Sequence, residues 1–137
     1  LSMVGLDDFS GAYPHELSGG MKKRLSFARA LVVKPKFIIM DEPFSSLDMQ
    51  SREILQEELQ KIVKERNQTT LFVSHSIDEA IMLADKVVVL SSSPARVKAV
   101  VKVLKMHKET PDFRHSEEFL DYRKKISNLL KGEPAYE

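Results

Sequence analysis

FIIMDE, residues 37–42, is a run of four apolar residues that ends in two adjacent carboxylates. Consecutive apolar residues are typical of a strand that is buried on both faces, as the strands of parallel sheets are. The run TLFVSH, residues 70–75, repeats this pattern and ends in a histidine. A segment with apolar residues at helical spacing lies between the two runs. This order of strand, helix and strand predicts an α/β fold with a mainly parallel sheet and flanking helices.

Capping residues and hydrophobic periodicity predict the rest of the secondary structure. Asp48 is suited to cap the helix that follows it, and Ser76 with Glu79 matches the capping-box pattern. The predicted helices span about 21–34, 49–63, 76–84 and 117–130, and two further strands cover about 86–90 and 97–104. Residues 105–115 are polar and predict a linker. We therefore expect a main region over residues 1–104, followed by a linker and a C-terminal helix over residues 105–137.

The composition of the chain excludes several classes of function. Among 137 residues, 21 Lys and Arg nearly balance 20 Asp and Glu, and the net charge of +1 gives no reason to expect a nucleic-acid partner. The absence of cysteine excludes disulfides, thiolate zinc sites and a cysteine nucleophile. No apolar run approaches the roughly 20 residues that a membrane-spanning helix needs, so we expect the chain not to cross a bilayer.

The carboxyl ends of the two central strands carry the polar residues Asp41, Glu42 and His75. In open α/β sheets, ligands bind beyond these strand ends. One carboxylate there can hold a hydrated Mg²⁺, which prefers oxygen ligands, and the second can orient or deprotonate an attacking water. A single Glu is by default a solvated loop carboxylate, and a single His at a strand end is more often structural. The catalytic interpretation therefore depends on the three residues occurring together.

Ser18, Gly19 and Gly20 precede a predicted helix and form a second candidate site. Glycines let backbone N–H groups approach a phosphate closely, while the serine hydroxyl and the helix dipole add donors and positive potential. Two glycines alone indicate only a turn, but with Ser18 and the downstream residues the segment is suited to bind an anion. The basic run at residues 22–24, Lys-Lys-Arg, is interpreted as a solvated helix face.

These segments resemble the motifs of ABC-type ATPases, in the order of that family and across residues 13–93. The matching motifs are the signature (LSGGM, residues 17–21), the Walker B strand (residues 37–41) with its catalytic glutamate (Glu42), the D-loop (Ser46-Leu47-Asp48) and the switch histidine (His75). The resemblance implies that residues 1–104 are the C-terminal part of an ABC ATPase domain, with the P-loop NTPase fold.

For the strand-end residues, the resemblance implies a role in ATP hydrolysis with ATP and Mg²⁺ as cofactors. Asp41 would support Mg²⁺, usually through water, and Glu42 would polarise the attacking water. His75 would contact the γ-phosphate and sense its loss.

For the signature segment, the resemblance implies contact with a second ATPase subunit. Ser18, Gly19 and Gly20 would contact ATP bound to the opposite subunit, so that two subunits enclose two ATP molecules head to tail. Asp48 would lie at this interface and couple the two sites, in addition to serving as a helix N-cap.

Longer strings narrow the resemblance to importer ATPases of the nitrate, sulfonate and taurine group. They are YPHE at residues 13–16, Phe44, and DEA at residues 78–80. This likeness implies the ATP-hydrolysing subunit of an ABC-type importer, cytoplasmic and peripheral on the inner face of the cell membrane. Its partners would be membrane permease subunits and, indirectly, a solute-binding protein. The alternatives are a non-catalytic remnant or interaction module, and an ABC ATPase that does not transport.

The P-loop pattern G-x-x-x-x-G-K-S/T is absent, because none of the five glycines is followed by lysine. The resemblance implies that the P-loop and its strand would lie before Leu1. We therefore expect this chain by itself neither to bind ATP tightly nor to hydrolyse it. We also expect the sheet to lack the P-loop strand, and the resulting unpaired edge to promote self-association.

Overall fold

The computed structural model describes residues 1–45, 47–104 and 113–132. The helices are α1 (Gly19–Val32), α2 (Met49–Glu65), α3 (Ile77–Leu83) and α4 (Glu117–Lys131), and the strands are β1 (Phe37–Asp41), β2 (Thr69–Val73), β3 (Lys86–Leu90) and β4 (Val97–Lys102). Short 3-10 helices cover Ser2–Val4, Asp7–Phe9, Pro14–Glu16 and Phe113–His115. This mixture of helices and strands confirms the predicted α/β class. The chain divides into two compact units, Leu1–Val73 and Ser74–Glu137.

In the first unit, β1 and β2 form a parallel pair that is connected by α2. Phe37 lies opposite Thr69, and Asp41 lies opposite Val73. A helical crossover is the usual connection between parallel strands, so the predicted strand–helix–strand order is confirmed. No strand precedes β1 among residues 1–45, and β1 is the single strand that pairs with β2 within the described chain.

Strand β1 is buried on one face, so the prediction that both faces are buried is wrong for the described residues. Ile38 and Met40 are buried, whereas Phe37 and Ile39 are 51 % and 65 % exposed. Neighbouring side chains of a strand point to opposite faces, and the described residues cover one face of the β1–β2 pair. The uncovered face of β1 is therefore apolar. A strand with one face in water normally carries polar side chains on that face.

Side-chain caps determine where the helices of the first unit begin. The hydroxyl oxygen of Ser18 accepts a hydrogen bond of 3.2 Å from the amide of Met21 at the start of α1. The carboxylate of Asp48 accepts one of 2.9 Å from the amide of Ser51 at the start of α2. Both side chains satisfy first-turn amides that have no partner within the helix, and the predicted capping role of Asp48 is confirmed.

The predicted apolar stripes of the helices are wider than their buried faces. Val32 on α1, Ile54 on α2, and Leu120 with Leu130 on α4 are exposed, although their spacing predicts burial. A helix buries the side chains that face a neighbouring element, and periodicity alone does not say how wide that contact is.

Among the described residues, no helix is long and apolar enough to span a membrane.

In the second unit, β3 and β4 form an antiparallel pair, with Lys86 opposite Lys102 and Val88 opposite Val100. The described strands thus make one parallel and one antiparallel pair, and the parallel arrangement does not extend to β4. The short connection at residues 91–96 permits antiparallel pairing, whereas parallel strands need a crossover of a dozen residues or more. The core of this unit consists of Ile81, Val87, Val89, Val101, Val103, Phe113, Phe119 and Ile126.

The last helix, α4, belongs to the second unit and matches the helix predicted over residues 117–130. The predicted linker falls partly on residues 105–112, which lie outside the described residues. Its last part, Phe113–His115, is instead a 3-10 helix in which Phe113 is buried and meets the ring of Phe119 edge-on at 5.5 Å. The predicted boundary between residues 104 and 105 therefore falls inside this unit.

Candidate functional site

The backbone of Glu42, directly after β1, has an unusual conformation. Its φ of 46° lies in the left-handed region, which costs a non-glycine residue on the order of 1–3 kcal/mol. Pro43 follows it, and a residue before proline normally prefers an extended backbone. Such a conformation persists only where the surrounding contacts fix it, and it is concentrated at functional sites.

Four hydrogen bonds hold the backbone of Glu42 in place. Its amide donates to the carbonyl oxygen of Val73 at the end of β2, at 2.9 Å. Its carbonyl oxygen accepts from the amide of Ser45 at 3.3 Å, from the hydroxyl of Ser45 at 3.0 Å and from Nζ of Lys23 at 3.2 Å. Both peptide groups that flank the Glu42 Cα are thereby fixed to neighbouring elements.

Asp41 is the last residue of β1, and Glu42 follows it directly in the chain. Asp41 is exposed, and Glu42 is half-buried. Among the described residues, no group of three or more His, Cys, Asp and Glu side chains is placed to hold a metal ion. Mg²⁺ is commonly bound by one or two carboxylates together with water and substrate phosphates, so an exposed Asp41 fits that mode of binding.

The glycines at the start of α1 occupy different surroundings. A Cβ on Gly20 would lie 3.3 Å from the side chain of Leu47, whereas a Cβ on Gly19 would meet nothing within 4 Å. Glycine at position 20 therefore allows the start of α1 to approach the loop before α2 closely. The space around the position of a Gly19 Cβ is open, and the first-turn amides of a helix are where an anion would bind.

A pocket of about 240 Å³ brings three of the predicted site residues together, namely Ser18, Gly20 and Asp48. The other lining residues are Gly5, Leu6, Phe9, Met21, Arg24, Leu47 and Ser51. Arg24 was not predicted as a site residue, because the basic run at residues 22–24 was interpreted as a solvated face. Ser46 of the predicted D-loop lies outside the described residues.

The charge of Asp48 is stabilised by its capping role. Hydrogen bonds from the backbone amide of Ser51, and then from its hydroxyl, lower the pKa of Asp48 below its ordinary value. The ionised form of Asp48, which lines the pocket, is therefore favoured, and the same contacts stabilise the start of α2.

Lys23 makes long-range contacts that the sequence interpretation missed. It was assigned to a solvated helix face, but it is partly buried and its ammonium group lies 3.2 Å from the carbonyl oxygen of Glu42 and 3.1 Å from the hydroxyl oxygen of Ser45. Lys22, its neighbour, is exposed as predicted. The contact spans 19 residues, so no local sequence pattern reveals it.

His75 is described with the second unit, where it is exposed in the loop between β2 and α3. The residues around it are held by hydrogen bonds. The hydroxyl of Ser74 donates to the carboxylate of Glu79 at 2.7 Å and accepts from the amide of Ser76 at 3.0 Å. The amide of Glu79 donates to the hydroxyl oxygen of Ser76 at 3.3 Å, which confirms Ser76 as the cap of α3, but the Ser76 amide donates to Ser74 where the predicted capping box has it donate to Glu79.

In comparisons with known proteins, the chain is similar to ATP-binding proteins of transporters. A family model described as ABC transporter matches residues 1–45. An uncharacterized ABC transporter ATP-binding protein of Methanocaldococcus jannaschii is 52 % identical over 133 residues, which are 97 % of this chain and 49 % of that protein. The nitrate import ATP-binding protein of Synechocystis is 42 % identical over 143 residues, which cover 100 % of this chain and 54 % of that protein. The taurine import ATP-binding protein of Rhizobium johnstonii is 42 % identical over 135 residues, or 95 % and 52 %. The chain thus spans about half the length of the curated relatives that it matches.

Solved structures with a similar fold also include ATP-binding cassettes. A dimeric ATP-binding cassette in a post-hydrolysis state, bound to ADP and Pi, superposes with a TM-score of 0.63 at 28 % identity, covering 77 % of this chain and 44 % of that one. The shared fold is that of the P-loop NTPases. With similarity along nearly its whole length and this fold, the chain belongs to the family of ABC transporter ATP-binding proteins.

Proposed function

We propose that this chain is part of the ATP-hydrolysing subunit of an ABC-type importer. The observation that carries the proposal is the loop after β1, where Glu42 follows Asp41 and is held in a left-handed conformation by contacts from β2, from α1 and from its own loop. A strained backbone that several hydrogen bonds fix, at the carboxyl end of a parallel strand, suits a residue that must be positioned for chemistry.

In the proposed reaction, Glu42 orients and polarises the water that attacks the γ-phosphate of ATP. Asp41 would hold Mg²⁺, which when bound neutralises negative charge on the phosphates. His75, at the end of the next strand in the sequence, would contact the γ-phosphate. These roles are supported by the family and by the order of the residues at the strand ends.

The start of α1 would act on a second ATP molecule. Ser18, Gly19 and Gly20 would present the first-turn amides of α1 to the γ-phosphate of ATP bound by a partner ATPase subunit. Asp48, which lines the same pocket, would lie at the subunit interface. The dimeric state of the ADP-bound cassette with the same fold supports this arrangement.

The importer role is supported by the names of the relatives, which include nitrate and taurine import proteins. We infer that the subunit works on the cytoplasmic face of the cell membrane with membrane permease subunits, and indirectly with a solute-binding protein. Permease and binding protein would select the solute, because the chemistry of the site described here concerns ATP alone.

The 137 residues by themselves would be inactive, because they contain no P-loop sequence to cradle the β- and γ-phosphates. Isothermal calorimetry on this chain should therefore detect no tight binding of Mg-ATP. Binding in the micromolar range would mean that other groups hold the phosphates, and the assignment of an incomplete site would be abandoned.

The activity is tested on the full-length protein that contains this chain. Glu42→Gln should lower Mg-dependent ATP hydrolysis by about 10²–10⁴-fold, the range for loss of a general base, while ATP still binds. Glu57→Gln, which changes an exposed carboxylate on α2, is the matched control and should leave turnover unchanged. Normal turnover in the Glu42 variant would remove this residue from the mechanism.

A further inference from the structure

The side chain of Lys23 extends from α1 to the loop after β1 and contacts two groups of that loop. Its Nζ lies 3.2 Å from the carbonyl oxygen of Glu42 and 3.1 Å from Oγ of Ser45. The hydroxyl of Ser45 in turn donates to the same carbonyl oxygen at 3.0 Å. The three groups form a closed triangle of hydrogen bonds around the carbonyl of the residue with the left-handed backbone.

The triangle acts on the direction of the Glu42 side chain. The hydrogen bond from the Glu42 amide to Val73 fixes the peptide plane on one side of the Cα. The contacts of Lys23 and Ser45 with the Glu42 carbonyl fix the plane on the other side. These two planes define the direction of the Cα–Cβ bond. The contacts together therefore fix the direction in which the Glu42 side chain leaves the backbone.

Lysine has the properties that this position requires. An ammonium group carries three donors, so it can satisfy the Glu42 carbonyl and the Ser45 hydroxyl together. A hydrogen bond from a charged donor is stronger than a neutral one, and this bond is partly buried, which limits competition from water. The adjacent Pro43 opposes the left-handed backbone, so the loop depends on contacts from outside itself.

We propose that Lys23 is a positioning residue for Glu42, which keeps the carboxylate aimed at the attacking water by fixing the carbonyl of the same residue. This inference rests on the proposed function of Glu42. Lys23 would act through the loop alone, without contact to the nucleotide or to the attacking water.

The first test compares Lys23→Met, Lys23→Arg and Lys22→Met in the full-length ATPase. Lys23→Met should lower kcat by about 10- to 100-fold with an unchanged KM for ATP, the cost expected when a catalytic group is misplaced by about 1 Å. Lys23→Arg should recover most of the rate, because it restores a charged donor. Lys22→Met removes an exposed lysine from the next position and should leave kcat unchanged.

The second test separates positioning from a general structural effect. In the Glu42→Gln background, adding Lys23→Met should cause no further loss in a single-turnover assay, because the carboxylate that Lys23 positions is already gone. Losses that multiply would overturn the proposal, as would a normal kcat in Lys23→Met, a change confined to KM, or an equal effect from Lys22→Met.

The outcomes also distinguish this inference from the function on which it rests. Normal turnover in Glu42→Gln alone would refute the proposed role of Glu42, and with it the reason for positioning it. Low turnover in Glu42→Gln with normal turnover in Lys23→Met would leave that role intact and refute only the role of Lys23.

Discussion

The hydroxyl of Ser74 donates a hydrogen bond of 2.7 Å to the carboxylate of Glu79, which is 8 % exposed. The same hydroxyl oxygen accepts from the amide of Ser76 at 3.0 Å. The Ser74 side chain, directly before His75, therefore bonds to the buried Glu79 carboxylate and to the Ser76 amide, both of which follow His75 in the chain. The shape of the loop that carries His75 depends on this serine.

We expect Ser74→Ala to destabilise the full-length protein by about 1–3 kcal/mol, because it takes a partner from a buried carboxylate. Chemical denaturation measures this difference. Ser74→Thr keeps the hydroxyl and should lose less, and Ser92→Ala, at an exposed serine of the β3–β4 connection, should lose little. Equal stability of Ser74→Ala and the wild type would show that the Ser74–Glu79 contact contributes nothing.

Asp48 should make the stability of the start of α2 depend on pH. Its pKa is lowered in the folded state by hydrogen bonds from Ser51, so the ionised form favours folding. The contribution is present above the ordinary value of 3.8 and is lost as the pH falls through the lowered folded-state pKa.

Asp48→Asn tests this dependence, because asparagine also caps helices but does not ionise. We expect the wild type to unfold at a higher temperature than Asp48→Asn at neutral pH, with the gap closing under acid. Thermal unfolding followed by circular dichroism across that pH range provides the measurement. If the difference in unfolding temperature stays constant on acidification, it comes from the shape of the side chain at position 48 and not from the charge of Asp48.

Gly19→Ala and Gly20→Ala should separate stability from activity. Alanine favours a helix by up to about 1 kcal/mol over glycine, and the Gly19 site has open space for a Cβ. The Gly20 site requires only a small shift of the end of the Leu47 side chain. Neither variant should unfold more easily, but both should hydrolyse ATP more slowly if the first-turn amides meet a phosphate.

Gly11→Ala is the control for the glycine pair, since a Cβ there also meets nothing within 4 Å and the site lies outside the pocket. Unchanged ATP hydrolysis in both Gly19→Ala and Gly20→Ala would contradict a role for the start of α1 in binding ATP.

The 137-residue chain in isolation should self-associate. The face of the β1–β2 pair that the described residues leave uncovered carries four exposed apolar side chains, Phe37, Ile39, Leu71 and Val73. Within the same residues the pair has no third strand, and an apolar face next to an unpaired edge favours association. Light scattering should report a mass above the 15.6 kDa of one chain.

A charged substitution on that face checks the cause of self-association. Ile39→Lys should shift the isolated chain toward the monomer, whereas Ile54→Lys, at an exposed isoleucine of α2, should not. A wild-type chain that is monomeric in solution would refute the prediction, whatever the variants do.

Local sequence patterns predicted the helices and strands, and they located the candidate site residues at the ends of these elements. Apolar runs predicted β1 and β2, and the oxygen atoms of Asp48 and Ser76 cap the helices where their position in the sequence suggests. These features depend on contacts within a few residues, so they can be recognised from spacing alone. The ordered motifs identified the family for the same reason, since each motif is a short string.

Burial and long-range contacts were not predictable in this way. The alternating exposure of β1 depends on what covers each face of the sheet, and the antiparallel pairing of β4 depends on which strand lies beside it. Lys23 was assigned to solvent because the residues that it meets lie 19 and 22 positions further along the chain. The left-handed backbone of Glu42 was equally hidden, because a residue before proline favours an extended conformation by itself.

The sequence by itself determined the order of helices and strands, their caps and the residue types at the strand ends, because short-range geometry governs all of these. Only the tertiary structure decided which face of β1 is covered, that Ser18, Gly20 and Asp48 share one pocket, and that Lys23 reaches the carbonyl of Glu42. The physical reason is that these arrangements arise from the packing of elements that are distant in the chain, and their energies depend on neighbours that no local pattern specifies.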